Sequence, residues 1–356
     1  MAGVTDLIEI GQSIWLDNIT RDMLDEGTIA GFVADLGVTG LTSNPSIFDK
    51  AISGSSAYDA DVAALAAEGL SAEEIFFRLA IADLRRAADL FAPVAAATDG
   101  VDGWVSLEVS PTLADDTEGT VTAARLLHAE ADRPNLFIKI PGTPAGLPAI
   151  EEAVFHGVPV NVTLLFSTEQ YLAAAEAHLA GLERRRDAGL SLDVASVASL
   201  FISRWDVALN EVLPDEMRNT VGVAIGAEAY AAFRRLLASE RVADLVAAGA
   251  PVQKLLFAST GVKDPAAPDT LYVSSLAAPD TVNTMPDATL LAVADHGSTP
   301  SALSGDGIAA AAVLRRAGEA GADLAQLAEK LQRDGAAAFV AAWDAMIASI
   351  AAKAAS

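Results

Sequence analysis

Lys139 stands in the apolar run "NLFIKIPGTPAG" (135–146), between Ile138 and Ile140 and just ahead of a Pro-Gly turn. The chain holds six lysines against 17 arginines, so routine surface solvation is a poor account of a lysine in a strand-like segment. An ammonium placed among apolar groups is costly unless it is paired or used. Residues two apart share one face of a strand, which sets Phe137 and Lys139 on one side and Leu136, Ile138 and Ile140 on the other. Six further strand-like segments carry polar residues on one face near their C-terminal ends. They hold Trp15 with Asp17, Thr42 with Asn44, Ser106 with Glu108 and Ser110, Asn161 with Thr163, Ser199 with Phe201, and Ser259.

An amine, two carboxylates, two amides and several hydroxyls suggest imine chemistry. A desolvated lysine can lose its proton and attack a ketone or aldehyde carbon. The protonated imine is an electron sink, so a neighbouring C–C bond can break to an enamine. That step needs a base for the β-hydroxyl and an acid/base to move water, for which Asp17 and Glu108 are the candidates. Asn44 and Asn161 could hydrogen-bond sugar hydroxyls. The four histidines (128, 156, 178 and 296) show neither HxH nor HExxH spacing and are expected at helix surfaces or ends, which argues against a zinc-dependent reaction. A phosphorylated substrate would need a cation. Arg204 follows the sixth strand at the start of a helix, where a guanidinium and free backbone N–H groups act together. Its plainer reading is an ion pair with Asp206 or a neighbour. The turn "ASTGVK", with Ser259 and Lys263, could cradle an anion through its backbone amides. By contrast "ERRRD" (183–187) reads as a solvated helix end.

The elements that must hold this set alternate along the chain. Strand-like runs at 13–19, 38–44, 104–110, 136–142, 159–166, 193–203, 253–260 and 270–276 are separated by amphipathic stretches. Helices are expected over 71–97, with Ser71 and Glu74 forming a capping box, and over 145–156, 168–188 and 204–242, the last interrupted at Pro214. The tail after Pro286 reads as helices ending in the Ala-rich 305–355. Eight strands alternating with helices predict an α/β fold, a single (β/α)8 TIM barrel with additional C-terminal helices, in one domain over 1–356. An open doubly wound sheet is the alternative, but neither GxGxxG nor GxxxxGK[ST] follows any strand. In a barrel wrapped by helices the polar face must point inward, toward partners or a ligand, at the end where barrel sites lie.

The formal charge is −25, from 48 acidic and 23 basic residues, which argues against nucleic acid and anionic membranes as partners. There is no cysteine, which removes disulfides, thiol chemistry and Cys-ligated metals. No signal-peptide pattern opens the sequence and no run of about 18 apolar residues is expected to span a membrane, so a cytoplasmic location is the default.

Six blocks in order, "WLDNITR" (15–21), "GVTGLTSNPSIF" (37–48), "VSLEV" (105–109), "NLFIKIPGT" (135–143), "VNVTLLFS" (160–167) and "ASLFISRWD" (198–206), resemble the transaldolase family. "TLYVSSLAAPDTVNTMP" (270–286) extends the resemblance. It implies a (β/α)8 barrel that transfers a dihydroxyacetone unit between sugar phosphates in the pentose phosphate pathway, without cofactor or metal. By motif, Lys139 resembles the Schiff-base lysine and Asp17 the acid/base acting on the donor C4 hydroxyl. Glu108 and Thr163 match the pair that positions the catalytic water. Asn44, Asn161 and Ser199 match residues holding the dihydroxyacetone moiety, and Arg204 matches a phosphate ligand. Related fructose-6-phosphate aldolases carry Gln and Tyr where this chain has Glu108 and Phe201, which favours transferase over lyase. Where many members place an Arg soon after the seventh-strand Ser, this chain has "STGVK", leaving Lys263 as the second candidate phosphate cation. The alternatives are an aldolase-like lyase and a non-catalytic sugar-phosphate-binding barrel. Monomer and homodimer both remain open.

Overall fold

The computed structural model describes residues 2–298 and 301–355. Eight short strands, nearly every residue of which is buried, form a closed barrel: β1 (Ser13–Leu16), β2 (Gly40–Leu41), β3 (Trp104–Glu108), β4 (Leu136–Pro141), β5 (Val160–Leu165), β6 (Ser196–Phe201), β7 (Lys254–Ala258) and β8 (Val282–Met285). Each strand pairs in parallel with its neighbours in sequence, and β1 closes on β8 from Ser13↔Val282 to Leu16↔Met285. Parallel strands need long crossovers, and the intervening helices supply them while covering the outer face. The expected (β/α)8 barrel with extra C-terminal helices is therefore the fold, and the open sheet is not.

Local signals placed several helices well. Ser71 and Glu74 form the reciprocal capping box that starts the helix Ala72–Ala97, with Ser71 N donating to Glu74 Oε2 over 2.8 Å. The break at Pro214 separates the helices Ser203–Leu209 and Val221–Leu237. The eighth strand requires a correction. The expected strand at 270–276 is a helix, Leu271–Ser275, and the barrel closes with Val282–Met285 instead. Tyr272 and Val273 face the interior together with Leu276, and the Tyr272 hydroxyl donates to the buried Asp206 carboxylate. Tertiary burial thus overrides the strand preference of Tyr and Val. Histidine placement also needs correcting: His178 is neither at a surface nor at a helix end. It is buried in the helix Thr168–Asp187, and burial pushes its imidazole down to about 4.

The C-terminal helix Leu324–Ala354 corrects a third expectation, since by length and composition alone it is apolar enough to cross a membrane, with a window of mean hydropathy 1.6. Asp344 is the only charged residue between Gly335 and Ala352, and alanines carry the hydropathy there. The helix packs on Pro45–Gly54 and Ala72–Ala97, burying Trp343, Met346 and Ile350. Trp343 meets Phe76 edge-on at 5.0 Å.

Inside the barrel, the N-terminal half is plugged. Trp104 stacks on Phe137 at 4.1 Å, Trp15 lies 6.2 Å from Phe137, and the Trp15 indole donates to Asp102 over 2.9 Å. Gly40 makes room for this plug, because a Cβ there would stand 2.7 Å from both the Trp104 carbonyl oxygen and Trp15 Cε2. Gly40→Ala is expected to destabilise the barrel by about 1–3 kcal/mol through overpacking, read as a lower urea midpoint at unchanged slope.

Candidate active site

Above the aromatic plug, the polar residues of the strands converge. Lys139 is 4% exposed on β4, and Glu108 is 5% exposed at the end of β3. Their register partners are each other, and Lys139 Nζ lies 3.3 Å from Glu108 Oε2. The same Nζ donates to the Ser43 carbonyl over 3.1 Å. Burial pushes the Glu108 carboxyl up to about 7, against the pull of the Lys139 charge. A carboxyl in that range can give and take protons near neutrality.

Asp17 follows β1, anchored by its backbone N–H to the Met285 carbonyl, and its carboxylate accepts from Thr42 Oγ1 over 2.8 Å. Thr42 also meets Thr284 of β8 at 2.8 Å. Burial raises the Asp17 carboxyl above the usual carboxylate range, opposed by the charges of Lys139 and Lys263 and by the Thr42 hydrogen bond. Beside β4, Asn161 faces Lys139 in register. Its amide nitrogen donates to Ser106 Oγ over 3.0 Å, and its oxygen accepts from Ser199 Oγ over 2.7 Å. Thr163 lies next up β5, fully buried, and its hydroxyl makes no hydrogen bond among the described residues; neither do the Glu108 carboxyl oxygens. Asn44 caps the helix Pro45–Gly54 by accepting from Ile47 N over 3.1 Å.

The cationic candidates sit farther out. Arg204 lies in the first turn of the helix Ser203–Leu209, exposed, and forms no ion pair among the described residues. The plainer pairing with Asp206 does not occur. Asp206 is buried and accepts from the backbone of Val221 and Gly222 and from Tyr272. Ser259 follows β7 with a left-handed backbone (φ 55°), and its hydroxyl meets Ser203 Oγ at 2.9 Å. Lys263 is exposed, and its Nζ lies 3.6 Å from where a Cβ on Gly261 would stand.

The C-terminal helix supplies what strand spacing could not reveal. The Phe339 ring centroid lies 5.6 Å from Lys139 Nζ, within cation–π range. Phe339 also lines, with Phe201, Arg204 and Lys330, a cavity of about 410 Å³ between that helix and the barrel mouth. Phe339 stands two hundred residues beyond Lys139 in an Ala-rich helix, and no local pattern marks it.

A buried amine against a near-neutral carboxyl, with a second carboxylate and bound hydroxyls around it, is equipped for carbinolamine and imine chemistry. The family model for transaldolase/fructose-6-phosphate aldolase matches residues 14–350. The chain belongs to that family. It is 47% identical over 350 residues to a transaldolase of Thermobifida fusca (strain YX), covering 96% of this chain and 95% of that protein. A transaldolase of Neisseria gonorrhoeae (strain ATCC 700825 / FA 1090) is 44% identical over 351 residues, 98% of this chain and all of the relative. Transaldolase 2 of Nostoc punctiforme (strain ATCC 29133 / PCC 73102) is 44% identical over 319 residues, 85% of this chain and 84% of the relative. Family membership and these near-full-length likenesses support a transaldolase activity, a transferase activity, for this chain.

The raised Glu108 value has a consequence for both rate and stability. Its folded-state value lies above the 4.5 of a free glutamate, so its contribution to stability is fully present below about 4.5 and is lost as pH rises through about 7. Glu108→Gln should remove an inflection near neutral pH from the rate profile and lower kcat by about 10²–10⁴. Turnover measured from pH 5.5 to 9 checks this; an unchanged inflection would assign it to another group.

Proposed function

We propose that the whole chain, 1–356, works as one catalytic unit that moves a dihydroxyacetone group from a ketose phosphate to an aldose phosphate through an imine on Lys139. The donor would be fructose 6-phosphate or sedoheptulose 7-phosphate, and the acceptor glyceraldehyde 3-phosphate or erythrose 4-phosphate. The observation that carries the reading is the Lys139–Glu108 contact of 3.3 Å between two side chains that are each at least 95% buried.

Lys139 Nζ, deprotonated toward Glu108, adds to the donor C2 carbonyl. Glu108 then gives a proton to the departing hydroxyl, which leaves as water held by Glu108 and Thr163. The Asp17 carboxylate takes the C4 hydroxyl proton, and the C3–C4 electron pair flows into the iminium, giving an enamine and a free aldose phosphate. The enamine carbon then attacks the acceptor aldehyde, Asp17 returns the proton, and hydrolysis frees Lys139. Asn44 keeps an amide nitrogen that makes no hydrogen bond among the described residues, which suits it to a donor hydroxyl. Asn161 and Ser199, already bonded to each other, would present a fixed wall to the dihydroxyacetone end. Arg204 and Lys263, two cations on a chain of net charge −25, would hold phosphate, with Ser259 bonded to Ser203 next to Arg204, and Phe201 would line the substrate space with Arg204 and Phe339. The identities of Glu108 and Phe201 favour transfer over release of dihydroxyacetone. The setting would be the pentose phosphate pathway in the cytoplasm.

Borohydride added with fructose 6-phosphate should fix a substrate-derived mass on the peptide carrying Lys139, and Lys139→Ala should abolish it. An adduct-free Lys139 peptide from turning-over enzyme would overturn the imine mechanism. Arg204→Ala should raise KM for phosphorylated sugars about ten- to a hundredfold while leaving the KM for free dihydroxyacetone nearly unchanged. Equal effects on both would take Arg204 out of the phosphate role.

A further inference from the structure

The C-terminal helix Leu324–Ala354 touches the barrel where the backbone is most irregular. Pairing of β5 with β6 runs Val162↔Ala198 and then Leu165↔Leu200, so β5 spends one extra residue. Within this bulge Leu164 adopts a left-handed backbone (φ 59°), although it is a fully buried leucine. Side chains other than Gly, Asn and Asp rarely hold that conformation unless their surroundings impose it. The irregularity lies between Val162 and Leu165 and so includes Thr163, and bulges of this kind re-aim the side chains they carry.

One side chain spans the irregularity. Gln332 Nε2 donates to the Leu164 carbonyl over 3.0 Å and to the Gly142 carbonyl over 3.0 Å. Gly142 follows directly on β4, the strand of Lys139, and its own N–H donates to the Thr163 carbonyl over 2.7 Å. Gln332 is 9% exposed, so losing its donor would leave both carbonyls without their partner in a poorly hydrated place. The helix can approach because Gly335, one turn on, has no side chain; a Cβ there would stand 3.1 Å from Leu164 Cδ2 and 3.4 Å from Phe166 Cζ. One turn farther, Phe339 reaches Lys139 Nζ.

We propose that Gln332 is a positioning residue: it clamps the ends of β4 and β5 so that Lys139 and Thr163 hold a fixed distance across the site. This rests on the reading of Lys139 as the imine-forming amine, and it adds the C-terminal helix to the working parts of the enzyme. The clamp touches neither donor nor phosphate. It acts on the steps in which water leaves and re-enters the imine.

Gln332→Met keeps the shape and removes the donor. Its kcat, scaled to the folded fraction from near-ultraviolet circular dichroism, should fall at least about tenfold, as sub-ångström misplacement of reacting groups does. The inhibition constant of inorganic phosphate should stay within about twofold, because Arg204 is untouched. Trp343→Ala loosens the same helix on a buried face away from β4 and β5. It should lower the melting temperature at least as much while retaining most of kcat. A Gln332→Met enzyme with wild-type kcat per folded molecule would overturn the proposal. So would kcat losses in the two variants that simply follow their melting temperatures. The borohydride adduct on wild-type Lys139 is scored separately, so a missing adduct indicts the imine reading, whereas a present adduct with unaffected Gln332→Met indicts only the clamp.

Discussion

Two ionisable side chains buried within 3.3 Å of each other set the terms for the rest of this protein. Both are withdrawn from water, which raises the Glu108 carboxyl, yet a buried charge without partners is unfavourable. The barrel reconciles these demands by geometry. Its helices cover the outer face, its lower half is closed by Trp15, Trp104 and Phe137, and the polar set around Lys139 occupies the upper interior. There Ser43 offers a carbonyl to the amine, and Asn161 links Ser106 to Ser199. Asp17 is held on the opposite side by Thr42. Among the described residues the Thr163 hydroxyl makes no hydrogen bond and the Glu108 carboxyl meets Lys139 Nζ without a hydrogen bond; these are the pair that the proposed mechanism assigns to water.

The acidic surface adds a second constraint. At net charge −25, an anionic substrate is repelled at a distance, and attraction must come from cations not already engaged. Several arginines are engaged: Arg133 with Asp89, Arg184 with Glu151 and Glu152, Arg241 with Glu176 and Glu183. Exposed pairs of this kind contribute about 0–1 kcal/mol each, so they matter here chiefly by neutralising charge locally. Arg204 and Lys263, beyond the ends of β6 and β7, make no ion pair among the described residues. Asp206 does not neutralise Arg204 because it is occupied in holding the start of the helix Val221–Leu237 and the Tyr272 hydroxyl. A buried structural carboxylate thereby leaves the neighbouring guanidinium available.

The C-terminal helix has a composition that suits several environments, and its contacts decide among its roles. Alanines make it apolar on average, while Trp343, Met346 and Ile350 give it a buried stripe. Its polar and aromatic reach, through Gln332 and Phe339, is directed at β4 and β5. The C-terminal helix is thus tied to the strand that carries Lys139 and to its neighbour.

Strand period and residue chemistry made Lys139, Asp17, Glu108, Asn161, Thr163 and Ser199 legible, because alternation assigns a face without knowledge of any neighbour. The count of strands was legible too, though not the identity of the last one. The segment 270–276 has strand-forming residues, but its burial beside Asp206 makes it helical, and the short run Val282–Met285 closes the ring. Phe339, Gln332 and the left-handed Leu164 could not be read from local pattern, since each acquires its role from a partner distant in sequence. By itself the sequence determined which side chains could share an inward face and what chemistry they could perform. Only the tertiary structure decided their distances, the near-neutral carboxyl of Glu108 and the helix laid across the mouth. Those depend on burial and on contacts between remote segments, which no local window contains.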